Sequence, residues 1–240
     1  MIQQGRGRPR PQSLRGRRRP QRVERVPLGD LRPDPVALLA RTAYLELTLF
    51  EAASTVAARA SDLADRETVT RVASAILAQH TALVDLLAEQ GQVPAEAMQP
   101  YVAEVDRYWR RFGETGWHES VLTLHLTTGL LNDFFAQLGA GLPRPLADRY
   151  CAVLTADIGQ EALVGVLSAA VAADRRMTSR LALWGRRTVG DTLLAARAAL
   201  DAVRDPDGHP AETEERRIEP VLNDLIAAHT RRMDRLGLTA

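Results

Sequence analysis

The chain has no lysine, a single cysteine and few aromatic residues: all 31 basic side chains are arginine, Cys151 stands alone, and Phe, Trp and Tyr together make 5% of 240 residues. One cysteine excludes an intramolecular disulfide and any multi-cysteine zinc site, and it suits a reducing, cytoplasmic compartment. The metal chemistry left open uses oxygen and imidazole ligands. The absence of lysine reads as codon bias rather than as a binding signal. No apolar run reaches the roughly 18 residues that span a bilayer, so no membrane partner is expected. Also missing are a Gly-rich phosphate loop, a nucleophile elbow, a Cys-x-x-Cys pair and a His-Glu-x-x-His motif. No confident catalytic residue follows from motif alone.

What is present favours helix. Apolar residues make 45% of the chain, rich in Ala, Leu and Val with few β-branched runs, which predicts an all-α fold with a core of real size. Charge is unevenly placed. The first 26 residues hold nine Arg and one Glu, against 22 basic and 29 acidic residues in positions 27–240. Residues 1–28 combine Pro, Gly, Gln and like charges and are expected to be a disordered Arg-rich tail, leaving 29–240 as one helical domain. The tail is either a solvated extension or, through residues 1–26, an arm for RNA or another anionic surface.

Helical periodicity divides the domain into long segments. Asp34 and Pro35 mark the start of a first helix running to about Ala60, in which Glu46 shares its face with Leu39, Ala43, Phe50 and Ala53. Glu51 falls on the rim. After a turn at 61–65 comes a helix over about 66–90. Its apolar stripe of Ala73, Ile76, Leu83 and Leu87 takes in His80, a polar ring that needs a partner there. A crossover with Pro94 and Pro100 leads to a third helix over about 117–140, with Asp133 on its buried face. A fourth over about 145–173 brings Asp157, Gln160 and Glu161 to one side. Helices over 177–204 and about 219–236, separated by a loop at 205–210, are expected to flank the bundle. His118, Glu119 and His125 on the third helix form a second, weaker set of metal-ligand types.

An acid, amide or imidazole midway along each of four helices matches the carboxylate-bridged architecture, in which two helices each give one acid and two give Glu-x-x-His. Hard anionic oxygens offset two dications there, and one imidazole tunes each metal. The residues available are Glu46, His80, Asp133 and Asp157. Three residues before His80 stands Leu77, and Asp157-x-x-Gln160 keeps the acid but loses the imidazole.

The stretches Tyr44–Leu47, Gly129–Phe135, Leu181–Arg187 and Ala228–Leu238 resemble the actinobacterial ferritin-like proteins related to the tRNA hydroxylase MiaE. The resemblance covers roughly residues 36–238. It implies a ferritin-like four-helix bundle with two additional C-terminal helices and a non-haem di-iron site at Glu46, His80, Asp133 and Asp157, with Leu77 and Gln160 as degenerate ligand positions. The expectation is therefore a MiaE-like protein with a degenerate carboxylate/His site, holding no metal or a single iron ion. Its role would be structural or partner-binding, with a paralogue or a second copy of itself as partner. The alternatives are an O₂-dependent hydroxylase acting on tRNA and an RNA-associated protein working through its tail.

Overall fold

The computed structural model describes residues 32–112, 115–202 and 211–239, with side chains described except at 198–202 and 211–220. The expected tail and the loop at 205–210 lie outside the described residues. The elements are α1 (Pro35–Arg59), α2 (Leu63–Glu89), α3 (Pro94–Met98) running through a 3₁₀ turn into α4 (Val102–Trp109), α5 (Trp117–Gly139), α6 (Leu146–Leu154), α7 (Gln160–Ala173), α8 (Arg175–Ala202) and α9 (Ala211–Arg235). No strand occurs among the described residues.

Capping chemistry sets the first two boundaries. The Asp34 carboxylate accepts from Ala37 N at 2.7 Å with Pro35 in the first turn, and Asp62 accepts from Ala64 N at 2.8 Å to open α2. Three residues link the two helices, so they run antiparallel in close contact along their length. By length and composition α2 is long and apolar enough to cross a membrane. Its stripe of Val69, Val72, Ile76, Leu83, Leu86 and Leu87 is buried in the protein core.

The crossover α3–α4 leads to α5, the axle of the molecule. From Glu119 to Gly139 most of its residues are buried, and it packs against α1, α6, α7, α8 and α9. A helix surrounded in this way needs apolar side chains on every face. The segment supplies them with Val121, Leu122, Leu126, Leu130, Phe134 and Leu138. Helices α1, α2, α5 and the α6–α7 pair form the four-helix bundle, with α8 and α9 against the α5 side.

The fourth segment is not the continuous helix that its pattern predicts. It breaks at residues 155–159, where the Asp157 carboxylate accepts from Gly159 N at 2.8 Å and Gly159 adopts φ +83°. As the N-cap of α7, glycine takes this left-handed conformation at little steric cost, and the aspartate side chain competes for its backbone donor. Ile158 plugs the break into the core.

Candidate functional site

Glu46 is the residue that the helical wheel of α1 turns inward, and its side chain is fully buried with both carboxylate oxygens lacking a hydrogen-bond partner. Burial pushes its pKa from 4.5 up to about 8. Burial disfavours the ionised form of a carboxyl because charge is poorly solvated in a medium of low dielectric. Nearby, the Tyr150 hydroxyl is 2.7 Å from Thr42 Oγ1, one turn earlier on α1, and its pKa is raised by burial and further by the charge of Glu46.

On α2 the buried polar residue is Gln79, one position before His80. Gln79 Nε2 donates to the Val153 carbonyl of α6 at 2.8 Å, and its oxygen accepts from Asn132 Nδ2 of α5 at 3.4 Å. Gln79 and Asn132 are each under a tenth exposed. His80 is half-buried and donates from Nδ1 to the Ala43 carbonyl at 2.8 Å, tying the middles of α1 and α2 together. Leu77 is more than a third exposed, so it occupies no place in the core.

Asp133, next to Asn132, points toward α9 instead of the bundle axis. Its carboxylate accepts from Arg232 at 2.7 Å. Gly129, one turn earlier, leaves the space that the Arg232 guanidinium fills, since an added Cβ would overlap it. Gly185 on α8 gives the same clearance to Met233. These contacts dock α9 on α5 and α8. Asp157 is exposed in the α6–α7 break, with its carboxylate committed to Gly159 N. The structure therefore does not bring Glu46, His80, Asp133 and Asp157 together. Among the described residues no three His, Cys, Asp or Glu side chains converge on a metal-sized space.

Gln160 begins α7 and donates to Thr128 Oγ1 of α5 at 2.7 Å, while Thr128 donates to the Leu124 carbonyl at 2.7 Å. Gln160 also lies beside His125, where it favours the imidazolium weakly. Burial first, and then the positive charge of Arg232, hold His125 down to about pKa 4. His229 on α9 is lowered to about 4 by the same two causes. Both imidazoles are neutral at pH 7, and neither has a hydrogen-bond partner in the structure. The second candidate set separates likewise. Glu119 pairs with Arg180, His118 packs edge-on against Trp117, and His125 sits two turns further along. Glu161, on the surface, pairs with Arg235.

The buried and half-buried polar side chains thus include the pairs Gln79–Asn132, across α2 and α5, and Gln160–Thr128, across α7 and α5, with Glu46 unpartnered on α1. Of these, Gln79, Asn132 and Thr128 escape a reading of the sequence that follows charge. Their one visible signal is position, because they lie on the same stripes as Ile76, Leu83 and Leu124. Chemically the set is neutral throughout. Amide oxygens are weak neutral ligands, and a single carboxyl offsets one charge at most. This donor set differs from the four acids and two imidazoles of a carboxylate-bridged site.

A family model described as a ferritin-like domain of actinomycetes matches residues 32–225. The chain belongs to this ferritin-like family. The match takes in the whole four-helix bundle and α8 and runs into α9. No curated protein matches the chain.

Proposed function

We propose that this ferritin-like protein is a scaffold in which amide hydrogen bonds between helices, beside the unpartnered carboxyl of Glu46, stand where a metal layer would be, and that its role is structural or partner-binding rather than oxidative. The observation that supports this reading is the set of buried and half-buried polar side chains: amides at 79, 132 and 160, each donating to a neighbouring helix, and one carboxyl, Glu46. A carboxylate-bridged site uses acids from all four helices and an imidazole from two of them, because two dications buried in protein need that much negative charge. Here each amide spends its N–H group on a neighbouring helix, which holds the bundle together where metal bridges would hold it otherwise.

In this proposal the relation to MiaE is one of descent. The stretches that carry the resemblance include Gly129, Asp133, Gly185, Arg232 and Met233, and their observed work is docking α9. They speak for a shared fold. The free thiol of Cys151, pushed up by burial, is consistent with a reducing compartment.

Elemental analysis tests the proposal. Protein expressed with ample iron should carry no stoichiometric iron and show no absorbance change when O₂ is added after reduction. Close to two iron atoms per chain, lost in Glu46→Gln, would overturn it.

A further inference from the structure

A pocket lies between α1, α4, α5 and α8. Its floor is formed by Leu45, Val105, Leu131, Phe135 and the ring of Tyr108, each under a tenth exposed. The Tyr108 hydroxyl is already engaged, 3.0 Å from Thr127 Oγ1 and 2.9 Å from Thr192 Oγ1, so the floor offers apolar surface alone. The mouth is different. Arg41, Arg107 and Arg111 line it. Arg41 pairs with Glu104, and Arg111 lies 3.9 Å from Asp191. Arg107 is exposed and has no ion pair among the described residues. Arg107 is thus the cation at the rim that no carboxylate among the described residues pairs with. Leu194, 58% exposed, extends the apolar lining out to the lip.

We propose that this pocket binds a small amphipathic anion, an alkyl carboxylate whose chain enters the apolar floor and whose head meets Arg107 and Arg111. Charge selects the head. A guanidinium presents paired N–H donors that match a carboxylate, and an amine would meet repulsion at the same place. Size selects the tail. The cavity holds about 90 Å³, and an apolar cavity of ~150 Å³ is enough for benzene, so the enclosed part takes a chain end of roughly four carbons. A longer chain continues along the exposed Leu194.

Calorimetric titration of the full chain with a homologous series tests it. Octanoate should give saturable binding, while octylamine and octanol at the same concentrations should not. From butanoate upward, affinity should rise about fourfold per methylene, the equivalent of about 0.8 kcal/mol, until the enclosed space is filled, and then flatten. Arg107→Glu, at an exposed position, should weaken octanoate about tenfold with an unchanged melting temperature. Ala195→Leu, which fills the floor from α8, should abolish the dependence on chain length. Absence of saturable octanoate binding, equal binding of octanol or octylamine, or unchanged affinity in Arg107→Glu would each overturn the proposal. The Arg107 variant decides the matter even where Ala195→Leu fails to fold.

Discussion

Replacing Glu46 by Gln removes a buried group of the bundle that can acquire charge, and the pH dependence of folding reports the change. The folded pKa of Glu46 is raised from 4.5 to about 8. Its contribution is therefore fully present below pH 4.5 and is lost as pH rises to about 8, a span on the order of 4–5 kcal/mol. His125 and His229 act in the opposite sense. Their folded pKa values fall from 6.5 to about 4, so their contribution is present above pH 6.5 and is lost as pH drops toward 4, on the order of 3 kcal/mol each. When the two unfolded imidazoles are half-protonated they together bind about one extra proton, and unfolded Glu46 releases about one. Stability should then peak near pH 6.5, the ordinary histidine value. In Glu46→Gln the alkaline arm disappears. The buried amide leaves its own donors unmatched, at about 1–3 kcal/mol, so the variant is the less stable protein at pH 5 and the more stable one at pH 8. Urea unfolding followed by circular dichroism across that range measures both curves. A difference between them that stays constant with pH would refute the reasoning, because it would mean that Glu46 titrates alike in the folded and unfolded chains.

Three further substitutions probe the fold around this layer. Gly139→Ala places a Cβ against the buried ring of Tyr150; thermal melting should show a loss of about 2–3 kcal/mol. Gly129→Ala displaces the Arg232 guanidinium and with it the contact to Asp133. The expected result is faster proteolysis within α9 and a loss of about 1–2 kcal/mol in unfolding. The pair Leu77→Glu and Gln160→His, which the sequence pattern alone suggests would rebuild a metal site, should gain no iron by elemental analysis, because residue 77 faces outward.

Much of the architecture is legible in the sequence because it depends on local signals. Asp34 with Pro35, the 25-residue length of α1 and the apolar periodicity of α2 and α5 fix those helices without knowledge of the partners. The α6–α7 break was also written locally, in Asp157-Ile158-Gly159, but the helical wheel passes through it because Asp157 and Gln160 keep the spacing of a single helix face. The site was harder to read for a physical reason. One residue along a helix is a rotation of 100°, so choosing His80 over Gln79, or Asp133 over Asn132, exchanges one face for the next. In both pairs a search for metal ligands favours the ionisable residue, whereas burial favours the neutral amide. The tie from Asp133 to Arg232 joins residues 99 apart, and no local pattern foretells such a partner. The same holds for the hydrogen bonds from Trp109 to Thr48 and from Trp184 to Thr123.

The protonation of Glu46 tests most directly whether the middle of this ferritin-like bundle is uncharged. Difference infrared spectroscopy of the parent against Glu46→Gln at pH 6.5 should show a protonated carboxyl band that belongs to Glu46 and fades as pH passes about 8. It should be unaffected by added ferrous iron. An ionised carboxylate at pH 6.5, or a band that shifts stoichiometrically on addition of iron, would contradict the account and restore Glu46 as a metal ligand.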